Sequence, residues 1–122
     1  LKQQPQNALV LNNLAWASHQ LKDRRAREYA EKAYAVQPDN PVILDTLGWL
    51  LSDAGQNDKA IELLQRAVTL APDEPETRYH LVQALVKAGN LPRARRELES
   101  LLAGRTKFDK EAEARALLAK LR

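Results

Sequence analysis

The apolar positions of this chain recur in a fixed order, broken by short polar stretches that carry glycine or proline. Shifted by 34 residues, Leu47 falls on Leu81, Ala60 on Ala94 and Leu64 on Leu98, and the breaks shift with them, Pro38 onto Pro72 and Gly55 onto Gly89. A fixed period of this length marks stacked units, each a helical hairpin that cannot bury its apolar face alone. The pattern predicts an all-α solenoid of three helix-turn-helix repeats plus a closing helix.

The clearest unit covers about 41–74. Its first helix is expected over 41–53, with Pro41 in the first turn and Asp39 or Asn40 as the cap. Gly55 supplies the turn, Asn57 caps a second helix over 58–70, and Ala71-Pro72 ends it. The next unit, about 75–108, repeats the plan with helices over 75–87 and 91–103 around Gly89. In the first unit, about 8–40, Ala26, Ala30 and Ala33 align with Ala60, Leu64 and Ala67. Upstream of them the offset falls to 33, with Pro5 on Pro38, Leu14 on Leu47 and Trp16 on Trp49. One residue is therefore missing near Gln20–Asp23, where Lys22 stands near the glycine's place, and that turn is expected to be tight or distorted. After Gly104 the register changes. A last helix over about 109–121 has Ala114, Leu117, Leu118 and Leu121 on one side, with Lys110, Glu111, Glu113, Arg115, Lys120 and Arg122 on the other to close the stack in water. Leu1–Pro5 read as the tail of a preceding unit, so the chain is expected to be a piece of a longer array.

These residues resemble the tetratricopeptide repeat. In the middle unit its positions are Leu44, Leu47, Gly48, Leu51, Gly55, Ala60, Leu64, Ala67 and Pro72. In the third they are Arg78, Leu81, Val82, Leu85, Gly89, Ala94, Leu98 and Leu101, with Thr106 replacing the proline. In the first they are Leu11, Leu14, Ala15, Ser18, Ala26, Ala30, Ala33 and Pro38. The resemblance implies a right-handed superhelix whose first helices line a concave face. Packing explains the small residues: Gly48 and Ala60 sit where the two helices of a hairpin approach closely. The strings Asn12-Asn13-Leu14-Ala15-Trp16, Asp45-Thr46-Leu47-Gly48-Trp49 and Tyr79-His80-Leu81 look like bacterial tetratricopeptide lipoproteins of exosortase (PEP-CTERM) and exopolysaccharide loci. That narrower resemblance implies a periplasmic or envelope location; without it a cytoplasmic one is expected.

Composition narrows the rest. Of 122 residues, 44% are apolar and 29% charged, too apolar for disorder, and no run is long enough to span a bilayer. There is no cysteine, which excludes disulfides and thiolate metal sites. The formal charge is +3. Lys22, Arg24, Arg25 and Arg27 cluster, as do Arg93, Arg95 and Arg96, but interleaved glutamates and the lack of an aromatic platform speak against nucleic acid.

No catalytic constellation stands out and no cofactor is expected. A trio of Ser52, His19 and Asp53 can be assembled, as in any helical protein, with nothing to supply an oxyanion hole. The informative positions lie on the first helices, at the places the resemblance puts on the concave face. They are Asn12, Asn13 and Trp16, then Asp45 and Trp49, then Tyr79, His80 and Gln83. Indoles at equivalent places offer large rigid area with a polar handle. The expected role is a non-enzymatic scaffold holding a peptide or partner segment in the groove. Carbohydrate stacked on the tryptophans is the alternative. Basic residues on this face are few, Arg78 and Lys87, which argues against a carboxylate clamp. The uncapped surface around Leu9, Leu11 and Leu14 is expected to be able to drive self-association.

Overall fold

A computed structural model describes residues 5–104 and 108–122 of the chain. Among the described residues there are seven α-helices and no strand: α1 Pro5–Gln20, α2 Arg25–Val36, α3 Pro41–Asp53, α4 Asn57–Leu70, α5 Pro75–Lys87, α6 Leu91–Ala103 and α7 Glu111–Leu121. Local chemistry sets these limits. Pro41 and Pro75 open α3 and α5, where a missing N–H costs nothing. Asn40, not Asp39, caps α3, its Oδ1 accepting from Val42 N at 2.9 Å. Asn57 is the first residue of α4 rather than its cap, and Pro5 lies in the first turn of α1 instead of closing an earlier unit. The expected preceding tail, Leu1–Gln4, and Thr106 lie outside the described residues.

Each hairpin packs on the next. The first helices α1, α3 and α5 also touch one another in sequence, whereas each second helix chiefly meets the first helices on either side of it. The odd-numbered helices therefore form the inner, shorter layer of the curve. Gly48 fixes the closest approach within a hairpin: a Cβ there would stand 2.7 Å from Leu64 Cγ. Leu64 itself is fully buried and reaches into the third repeat's cluster with Leu81, Val82 and Leu98. Ala26 and Ala30 of α2 share a cluster with Leu44, Leu47 and Leu51 of α3. Core positions thus run across repeat boundaries, which is why no unit is stable by itself. At the start of the stack the same positions lie open. Val10 and Leu14 are 56% and 41% exposed, while their counterparts Ile43 and Leu47 are 0% and 4% exposed.

The α1–α2 turn corrects the expectation of distortion. Lys22 has φ 58, matching Gly55 at 84 and Gly89 at 82. Its N–H donates to His19 O and Asp23 N–H donates to Ser18 O, the same pair of bonds that Gly55 and Gln56 make to Ser52 and Leu51. The missing residue lies after this turn, between Lys22 and Ala26, where Arg24 caps α2 and Asp23 accepts from Arg25 N at 2.9 Å. A lysine thus sits in a left-handed conformation that penalises any Cβ. Lys22→Gly is expected to stabilise the fold by about 0.5–1 kcal/mol. Gly55→Ala should cost about 1 kcal/mol through conformation alone, since nothing lies within 4 Å of the Cβ it would gain. Urea midpoints measure both, and an unchanged midpoint for Lys22→Gly would refute the strain.

Candidate partner-binding trough

The side chains that α1, α3 and α5 present inward meet in a trough. Its larger compartment, about 630 Å³, is lined by Trp16, His19, Gln20, Asp45, Trp49, Glu76, His80 and Lys110. Three interactions hold the walls. Trp16 Nε1 donates to Thr46 Oγ1 at 2.8 Å, and Thr46 Oγ1 donates onward to Val42 O at 3.0 Å. Asp45 accepts from Thr77 Oγ1 at 3.3 Å and lies 2.7 Å from His80 Nδ1. A carboxylate only accepts, so His80 presents Nδ1–H to it. That bond lays the His80 ring on the Trp49 indole, centroids 4.6 Å apart and planes 31° apart. Asp45 and Trp49 come from α3 and His80 from α5, so the cluster also joins two repeats. At the trough's N-terminal end the Trp16 and His19 rings meet edge to face, centroids 6.2 Å apart, and His19 Nε2 stands 3.7 Å from Asp53 Oδ2.

A second compartment of about 390 Å³ adjoins the first, and Trp49 borders both. Tyr79, Gln83, Val86 and Lys87 of α5 form one wall; Glu113, Ala116, Leu117 and Lys120 of α7 form the other. The α7 contribution was missed by reading α7 as a solvated cap. α7 begins 36 residues after α5, and its buried Ala114 and Leu118 fall on Leu81 and Leu85 at an offset of 33, so the register changes after Gly104 as expected. Its inner side nevertheless lines the trough as the first helix of a further unit would.

Trp16, Asp45, Trp49, Tyr79, His80 and Gln83 therefore line the trough, and two expected positions, Asn12 and Asn13, stand elsewhere. Asn12 is 4% exposed, its Oδ1 without a hydrogen-bond partner, and Asn13 points to solvent; neither lines a compartment. Tyr79 borders the second compartment, yet it is only 2% exposed and packs in the core beside Phe108, ring centroids 5.9 Å apart. It is a wall rather than an open contact. Arg78 leaves this face altogether, donating to Ser100 Oγ of α6 at 3.0 Å. Burial, and next the Glu113 carboxylate beside it, push the Tyr79 phenol up from 10.0 to about 12. The fold thus favours the neutral phenol. The stability this confers is complete below pH 10 and is lost as pH rises from 10.0 towards about 12. Phenolate absorbance should show Tyr79 ionising only near the upper end of that window, and ionisation at the ordinary value would contradict its burial.

Of the trio of Ser52, His19 and Asp53, His19 stands beside Asp53 but Ser52 is not joined to them. Ser52 Oγ is buried without a hydrogen bond, so no base activates it. Among the described residues no group of three or more His, Cys, Asp or Glu side chains could hold a metal ion, and no helix is long and apolar enough to cross a membrane. The basic clusters are partly spent within the fold: Arg25 pairs with Asp23, Arg27 with Glu31, and Arg93 donates to Gln65.

Comparison with known proteins agrees with this geometry. A family profile described as tetratricopeptide repeat matches residues 51–121, and a second one matches residues 24–75. A TPR repeat-containing protein of Pseudomonas aeruginosa is 35% identical over 83 residues, 66% of this chain but only 14% of that protein's length. Among solved structures, the first TPR of Spaghetti (RPAP3) has TM-score 0.82 at 22% identity, covering 97% of this chain and 92% of that one. The type III secretion translocator chaperone SycD of Yersinia enterocolitica has TM-score 0.83 at 20% identity, covering 98% and 86%. The O-GlcNAc transferase of Thermobaculum terrenum has TM-score 0.84 at 26% identity, but this chain spans 23% of it.

Proposed function

Because this chain belongs to the tetratricopeptide repeat family, whose members serve in general as non-catalytic interaction scaffolds, we propose that it holds an extended peptide segment of a protein partner along the inner faces of α1, α3 and α5. One observation carries the reading. Two compartments of about 630 and 390 Å³ lie on the inner layer with Trp49 bordering both, an arrangement that suits an extended segment. Two proteins of the same fold support it: the first TPR of Spaghetti is bound to an HSP90 peptide, and SycD is in complex with a peptide of the translocator YopD. Carbohydrate fits less well. A sugar ring needs an open indole face, and His80 covers one face of Trp49. Panning a random linear-peptide library against the chain tests the proposal. Selected peptides should shift the resonances of Trp16, Asp45 and Trp49, and selection of none that does so would reject it.

Self-association has its own support in the exposed Leu9, Val10 and Leu14 of α1. Light scattering over a concentration series should show a rising mass that Leu14→Glu suppresses; a constant monomer mass would remove this reading. The strings Asn12–Trp16 and Asp45–Trp49 are the support for an envelope exopolysaccharide or sorting role, and a gene outside any such locus would count against it.

A further inference from the structure

The larger compartment joins two indoles to two carboxylates inside one concavity of about 630 Å³. Spacing orders them. Asp45 lies one helical turn before Trp49 on α3, and Glu76 one turn before His80 on α5, so both carboxylates stand towards the starts of these helices. Trp16 Nε1 is bonded to Thr46, the sequence neighbour of Asp45, which sets an indole beside that end. Asp45 accepts from His80 and Thr77, and those bonds leave its negative charge and further acceptor capacity in place. Glu76 is exposed and makes no ion pair among the described residues. His80 gives its Nδ1–H to Asp45, so Nε2 of the neutral ring is left as another acceptor. Against these acceptors the lining has one fixed cation, Lys110. Two carboxylates face one ammonium, so one negative charge is in excess while the imidazoles are neutral.

Resting on the peptide-binding reading above, we propose that this compartment selects an arginine side chain from the partner segment. The planar guanidinium lies along the Trp16 indole, whose ring face attracts a cation. It turns its fork of donors to Glu76 and to the remaining acceptor positions of Asp45. Its aliphatic stem covers apolar surface of Trp49. Lysine fits less well, because its compact ammonium is more strongly hydrated and has no plane to stack. Trp16 is already held by Thr46, and His80 by Asp45, so these walls lose little freedom when the arginine arrives. Glu76 and Lys110 are exposed, so their charges set partner choice and association rate more than affinity.

The test takes the library-selected linear peptides that shift trough resonances. They should be richer in arginine than the starting library, and they should move the Asp45 and Glu76 amides. Citrulline in place of the arginine keeps the shape and removes the charge, and binding should fall about tenfold. Glu76→Gln should weaken the arginine peptide about threefold at low salt and less at high salt, while the citrulline peptide is unaffected. Lys110→Gln should strengthen the arginine peptide about twofold. Both side chains are exposed, so circular dichroism should show unchanged helical content in either variant. Equal affinities for the arginine and citrulline peptides, or selected peptides no richer in arginine than the library, would overturn the arginine compartment and leave the general function standing. If no peptide of any kind perturbs the trough, both fail.

Discussion

Leu64→Ala is expected to destabilise the fold by about 2–5 kcal/mol, the range for emptying a buried leucine site, and to reverse the sign of a second substitution, Gly48→Ala. Leu64 is fully buried and belongs to the cluster that ties the second repeat to the third, so the void it leaves has walls on several helices and collapses poorly. Gly48→Ala in the parent chain pushes a Cβ to 2.7 Å from Leu64 Cγ and 3.1 Å from Leu64 Cδ2. Overpacking of that kind costs about 1–3 kcal/mol, against a helix-propensity gain of about 1 kcal/mol, so the net is a loss of up to about 2 kcal/mol. Both clashing atoms vanish in Leu64→Ala, and the nearest remaining neighbour of the new Cβ is Ala60 O at 3.4 Å, an ordinary contact. There Gly48→Ala should stabilise by about 1 kcal/mol. Urea denaturation of the four chains closes the double-mutant cycle. Equal effects of Gly48→Ala in both backgrounds would show that Leu64 does not set the helix spacing.

The second large effect concerns binding. Trp16→Ala and Trp49→Ala should each weaken capture of a trough-binding peptide by about 2 kcal/mol, or about thirtyfold. Trp49 should matter more, because it borders both compartments and carries the His80 ring. Trp16 contributes through its own face and through the bond that fixes Thr46. Both indoles are half-buried, so the variants lose some stability, and affinities are compared only where circular dichroism shows the fold intact. Val42→Ala is the control: Val42 is 56% exposed and lines neither compartment, so capture should be unchanged. Equal losses in all three variants would mean that the effect travels through stability and not through the trough.

Repeat order, helix limits and the Gly48–Ala60 contact were legible in the sequence because each follows from spacing and from residues with a steric identity. The trough was legible only in part. Position alone put Asn12, Asp45 and Tyr79 at one place in three units, yet burial separates them. The hydroxyl of Tyr79 and the Oδ1 of Asn12 lie on packed surfaces, while Asp45 is drawn towards the trough by His80 and Thr77. Those partners come from the next repeat, and a pattern read within one unit does not contain them. Arg78 was misplaced for the same reason, since Ser100 on α6 draws it away. The α7 wall escaped notice because its polar residues suited a solvated cap. Only the shared surface with α5 shows that Lys110, Glu113 and Lys120 face the trough's interior as well as water. Lys22 marks the opposite case: a residue with poor turn chemistry holds the turn because the hydrogen bonds around it are complete.

The absence of cysteine lets a single spin label report on one face at a time. A nitroxide at Gln20→Cys stands in the larger compartment, and one at Lys32→Cys stands on the outer surface of α2. If the inner layer of the stacked hairpins is the working surface, the Gln20→Cys label broadens the resonances of a captured peptide and the Lys32→Cys label leaves them sharp. Broadening from Lys32→Cys with none from Gln20→Cys would contradict the account.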